Sequence, residues 1–187
     1  MPEAFLGDGL VYEETMPVIW TAGPLAEGLA LSRLNADNHQ LLGAESSLDE
    51  VRVHETLKDE SPALVHELQR LEYKMNILLR LTAELTLRSS GLPAPRRVRM
   101  TSRALEWFGD PLPAVGATGL LAVYINSSLL PQPVKIPCTV AGERLQDNSG
   151  VAQMRFSGLS DAVVEQLEKL IFRHHRRLVA GARLASH

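Results

Sequence analysis

Leu64, Leu68, Leu71, Met75, Leu78, Thr82 and Leu85 alternate in steps of four and three, and this row constrains the chain more than any other feature of its sequence. Such a heptad rhythm keeps one seam of an α-helix turned toward a partner helix, as in a coiled coil. Thr82 is its one polar member. Ser61 caps the start and Pro62 brings a preset helical φ, and no further Gly or Pro intervenes before Gly91 and Pro93 end the helix. About 28 residues at 1.5 Å each make a rod of roughly 42 Å, long for a small domain. A single heptad would read as an amphipathic helix lying on its own domain; this repeat lasts for more than three. Val65, Ile77, Leu79, Leu81 and Leu87 lie off the seam, so the apolar arc is wider than a two-stranded coil uses. Either the helix enters a bundle of more than two strands, or one flank rests on the preceding helix and another on a second subunit. Self-association is the expectation, and a Leu-rich seam leaves three and four chains open.

Upstream, Leu25, Leu29, Leu34, Leu41 and Leu48 recur at helical spacing between Pro24 and about Glu50, which predicts a first helix. Asn38 sits midway between Leu34 and Leu41, either buried and fixing register or facing solvent. The opening run from Leu10 to Trp20 is rich in strand formers, and Pro17 suits an edge strand or extended arm. Beyond Pro95 the pattern changes to short strand-like runs: Val98 to Phe108, Gly119 to Asn126, Val134 to Val140 and Gly150 to Phe156, four strands of an antiparallel sheet. Ser160 and Asp161 begin a last helix that runs to about Ala185, with Val163, Val164, Leu167, Leu170, Ile171 and Leu178 available to plug the sheet.

The chain has 187 residues, 45% hydrophobic and 22% charged, ordinary globular proportions. No apolar run approaches the ~20 residues that span a bilayer, and the acidic N-terminus lacks a signal peptide's basic segment, which points to a cytoplasmic protein without a membrane partner. Cys138 is the sole cysteine, so a disulfide framework is excluded and a buried thiol is expected. The net charge of -3 hides an asymmetry: residues 1–95 hold 7 Lys+Arg against 15 Asp+Glu, and residues 96–187 hold 12 against 7. The basic half lacks the dense stripe of a nucleic-acid surface, so no nucleic-acid partner is expected. His66, His174 and His175 with Glu67 and Glu165 match no metal motif, and the adjacent pair points apart on a helix; neither catalysis, metal nor cofactor is expected.

The strand order, followed by Gly158-Leu159-Ser160-Asp161 and the helix through Arg173-His174-His175-Arg176, resembles the PilZ domain over residues 95 to 180. The resemblance implies a small bacterial β-barrel closed by a C-terminal helix, in a family with many receptors for cyclic di-GMP. Ligand contacts in that family come from Arg-x-x-x-Arg ahead of the barrel and Asp/Asn-x-Ser-x-x-Gly on an early strand. The second motif falls on Arg99 to Ala104, with Arg99 in place of Asp or Asn, Thr101 in place of Ser and Ala104 in place of Gly. An arginine cannot accept hydrogen bonds from guanine. The first motif has no counterpart in the long helix; Arg99 with Arg103 and Arg173 with Arg177 share its spacing elsewhere.

The chain thus resembles the atypical branch, in which a barrel carries extra helices, like the oligomeric PilZ proteins of xanthomonads. The expectation is an α+β protein: an arm over residues 1–22, a helical oligomerisation region over 23–92, and a PilZ-like barrel with its C-terminal helix over 93–187. Leu64, Leu68, Leu71, Met75, Leu78, Thr82 and Leu85 would assemble it, as a tetramer on the resemblance, into a non-enzymatic scaffold that recruits a protein partner and does not bind cyclic di-GMP. The alternative is a cyclic di-GMP receptor with a non-standard clamp of Arg96, Arg97 and Arg99, which follow the stiff Pro93-Ala94-Pro95.

Overall fold

Strand-forming residues of the N-terminal arm and of the region beyond Pro95 build one sheet. The computed structural model describes residues 5–7, 9–50, 66–68, 70–71, 73–75, 77–79, 81–82, 85, 91–92, 94–125, 132–146 and 149–184. The elements are β1 (Tyr12–Met16), β2 (Val18–Ala22), α1 (Gly28–Glu50), β3 (Arg96–Met100), β4 (Ala104–Phe108), β5 (Thr118–Val123), β6 (Val134–Gln146), β7 (Ser149–Phe156) and α2 (Asp161–Leu184). All strand pairs are antiparallel, in the order β1-β3-β4-β7-β6-β5-β2.

The two edges of this sheet are consecutive in the chain. β1 pairs with β3, Tyr12 opposite Met100, and β2 pairs with β5, Val18 opposite Val123. Pro17 stands between them, and its carbonyl accepts a hydrogen bond from the Tyr124 N–H at 3.1 Å. The missing N–H of a proline costs nothing at such a corner. The arm therefore curls the sheet strongly, into a half-barrel. Gly119 makes the β2–β5 contact possible, since a Cβ there would collide with the Thr21 carbonyl oxygen.

Alternating side chains of the curled sheet meet inside, where Met100, Leu105, Leu121, Ile136 and Met154 are fully buried. Val163, Leu167, Leu170 and Ile171 of α2 cover this core, while Val164 is half-buried and Leu178 exposed. Cys138 is buried as expected, and burial pushes its thiol up to about 12, with a backbone hydrogen bond from Leu121 acting in the opposite sense.

Seven strands replace the four expected after Pro95. Two come from the arm, and the expected strand from Val98 to Phe108 is the hairpin β3–β4. Its turn is closed by the Thr101 N–H donating to the Ala104 carbonyl at 2.9 Å. Thr101-Ser102-Arg103 contains neither Gly nor Pro, so nothing local marks the reversal. β6 also continues past Val140 to Gln146 through an irregularity at Val140/Gly142, where one extra residue is absorbed as in a β-bulge.

In α1, which begins at Gly28 rather than Pro24, Leu42 and Asn38 are buried, Leu34 and Leu41 are half-buried and Leu29 is exposed, while the Leu48 side chain lies outside the described residues. Asn38 Nδ2 donates to the Lys135 carbonyl at 2.7 Å, and its Oδ1 accepts from the Lys135 N–H at 3.0 Å. One turn earlier, Asn35 Nδ2 donates to the Gly158 carbonyl at 2.9 Å and Oδ1 accepts from the Ser160 N–H at 3.0 Å. Asn38 thus stands in for a strand neighbour of Lys135, and Asn35 satisfies the peptide groups of the link between β7 and α2. Gly158, at φ 68°, lies against Leu31, whose Cδ2 would be 2.8 Å from any Cβ there.

Candidate functional site

Alternation along β3 sends Val98 and Met100 into the core and Arg97 and Arg99 to the opposite face. Register then lines up four neighbouring strands: Glu13 of β1 faces Arg99, Arg99 faces Glu106 of β4, and Glu106 faces Gln153 of β7. Directly opposed side chains on one face of a sheet interact most strongly, and here the signs alternate. Arg97 Nε donates to Glu13 Oε1 at 2.8 Å, and Arg99 Nε lies 3.4 Å from Glu13 Oε2.

Glu106 is the centre of this row, with 2% of its surface exposed. Its carboxylate accepts from Arg99 Nη1 at 3.1 Å, from Arg144 Nη2 at 3.0 Å and Nε at 3.3 Å, and from Gln153 Nε2 at 3.3 Å. A buried carboxylate requires such donors, because leaving it unpaired costs several kcal/mol, of order 3–5.

The three arginines considered as a phosphate clamp are therefore engaged within the chain. Arg97 is held by Glu13 and lies 4.7 Å over Phe108; Arg99 bridges Glu13 and Glu106; Arg96 lies 5.3 Å over Trp107. The motif position at Arg99 donates to a carboxylate where an Asp or Asn would accept. Thr101 Oγ1 accepts from the Arg103 N–H at 3.3 Å, so that hydroxyl serves the turn. Nothing local in the sequence marks Glu13 or Arg144 as a member of this cluster. The only signal for Glu13 was an acidic residue in a strand-forming arm, and its partner lies 84 positions away.

Leu64 of the heptad row lies outside the described residues. All residues described between 66 and 85 are helical. In this single chain Leu68, Leu71, Met75, Leu78 and Leu85 are 44 to 68% exposed, and Leu81 beside them 51%. Thr82 Oγ1 donates to the Leu78 carbonyl at 2.8 Å, which satisfies its hydroxyl inside the helix and lets it stand in an apolar row.

His66, His174 and His175 do not converge. His174 stacks on Tyr12 with ring centroids 4.2 Å apart, whereas His175 and His66 are exposed. Among the described residues no group of three or more His, Cys, Asp or Glu is placed to hold a metal, and no helix is long and apolar enough to cross a membrane.

Comparison with known proteins adds two findings. The profile of a family described as "Atypical PilZ domain, cyclic di-GMP receptor" matches residues 42–184. The chain is also similar in structure to a pathogenic protein of Xanthomonas campestris, described as a new tetrameric PilZ domain self-assembled via an unusual helical bundle. The TM-score is 0.70 at 23% identity, over 92% of this chain and 91% of that one. No curated protein matches.

Proposed function

This chain belongs to the atypical PilZ domain family, and from that premise we propose that it is a cytoplasmic, non-enzymatic scaffold which self-assembles as a tetramer and displays its half-barrels to a protein partner. The observation that carries this reading is the apolar heptad row left bare in one chain, Leu68, Leu71, Met75, Leu78 and Leu85. Burying one such side chain stabilises by about 1.5–3 kcal/mol, so an interhelical seam is the natural cover. In this reading Leu64 and Thr82 belong to the same seam, within an oligomerisation region over 23–92, and residues 93–187 form the displayed unit, closed by the 1–22 arm. The assembly described for the Xanthomonas campestris protein favours four chains over three.

The nucleotide surface is silent in this proposal because Glu13 and Glu106 already occupy Arg97 and Arg99. Light scattering combined with calorimetric titration of cyclic di-GMP tests both parts. A four-chain mass without binding heat is expected. A monomer overturns the assembly, and micromolar or tighter binding revives the clamp of Arg96, Arg97 and Arg99.

A further inference from the structure

Two arginines stand apart from the ion-paired Arg97, Arg99 and Arg144. Arg103, in the β3–β4 turn, and Arg155, opposite Ala104 on β7, are neighbours on one surface, and both are exposed. Arg155 lies 5.3 Å over the Phe5 ring. Among the described residues neither arginine has an ion-pair partner, whereas Arg97, Arg99 and Arg144 each have one. The same two side chains, with Ser102, line two separate grooves. One, of about 630 Å³, lies between Phe5, Leu6 and Leu10 and α2, with Phe5, Ile171 and Phe172 on its walls. The other, of about 300 Å³, lies on the far side against Phe156, Leu159 and Val164.

We infer that this surface docks an extended segment of a partner protein in which one acidic residue is flanked on both sides by apolar residues. The pair of cationic forks stands between the larger, mainly apolar groove and a smaller groove of mixed polarity whose apolar wall is Phe156, Leu159 and Val164, which is complementary to that pattern: the carboxylate meets Arg103 and Arg155, and the neighbouring side chains pack on the apolar walls. Arginine binds carboxylates through paired N–H donors, and an arginine without an internal counter-ion gives up no existing bond to do so. Glu168, the carboxylate in the larger groove, accepts from Ser102 Oγ at 3.1 Å and discourages a second acid there, which sets the register. The inference rests on the proposed recruiting role but is independent of the helical seam.

The test pans full-length protein against a random peptide library on phage, then titrates the recovered consensus as a labelled peptide by fluorescence anisotropy. An apolar–acidic–apolar consensus is expected, weakened about tenfold or more by Arg103→Ala with Arg155→Ala, as for desolvated arginine anchors. Phe172→Ala should weaken it through the larger groove alone. Arg103→Glu with Arg155→Glu should turn the selected central residue basic, a change that unfolding would not produce. No consensus, or a consensus that ignores the arginines, overturns the inference. So does equal arginine-dependent binding of cyclic di-GMP or of vesicles of anionic lipid. Light scattering on the same samples separates the two claims, because an intact oligomer without peptide binding removes only the docking site, and a monomer that binds the peptide removes only the assembly.

Discussion

α1 and the helical residues between 66 and 85 use their side chains in opposite ways. α1 leaves Leu29 exposed and Leu34 and Leu41 half-buried and is nevertheless joined to the half-barrel, through Leu42 and the double hydrogen bonds of Asn35 and Asn38. The later stretch has a regular apolar row and leaves it exposed in the single chain. A periodic stripe states that a face needs cover and is silent about the source of that cover. Paired amide bonds to a particular peptide are different, since they have one geometric solution and fix a helix at one place. Polar contacts thus give α1 its address within the chain, and apolar contacts leave the other stretch available to another chain.

The sharpest way to break this contrast is Leu71→Asp with Leu78→Asp. Placing charges on the seam should reduce the species seen by light scattering to the 20.6 kDa monomer while leaving the far-UV signature of the sheet unchanged; a mass equal to that of wild type would mean the exposed row is not an interface. Next in size is Asn38→Leu, which keeps the volume but strands the Lys135 N–H and carbonyl. A loss of about 2–4 kcal/mol is expected in denaturant unfolding, with faster hydrogen exchange in α1; a neutral result would show that apolar contact alone holds α1. Glu106→Ala removes the acceptor shared by Arg99, Arg144 and Gln153. Because both arginines keep about a third of their surface in water, the cost should be about 1–3 kcal/mol, read as a lower Tm. The smallest effect concerns Cys138. Its folded-state thiol titrates above the unfolded one, so its contribution is fully present below the ordinary value of 9.0 and is lost as pH rises toward about 12. Cys138→Val should therefore flatten the alkaline fall in stability, and the native thiol should resist aromatic disulfide reagents at neutral pH.

Much of this architecture was legible in the sequence because it is periodic. The α2 stripe, β5 and the proline-kinked arm all carry spacing signals that local physics enforces. The β3–β4 reversal was not, since Thr101-Ser102-Arg103 turns without a breaker residue and is closed by backbone bonds. Asn38 could be placed in the sequence on either face, and only Lys135, 97 positions away, decides between them. The arginine cluster was visible, but its neutralisation was not: Glu13 and Glu106 reach it only through strand register, a long-range property that composition does not encode. The role of Arg144 is hidden for the same reason, because it acts from beyond the irregularity in β6.

The corner at Pro17 has a consequence for the order of events during synthesis. β1 and β2 emerge from the ribosome before the strands they pair with, so Tyr12 waits for Met100 and Val18 for Val123. Contacts so distant along the chain slow folding, because a large loop must close before any of them is rewarded. β1 thus stays unpaired until β3 is made and β2 until β5 is made, and the strip that finishes the sheet at both edges stays available to other sheet edges until translation has passed β5.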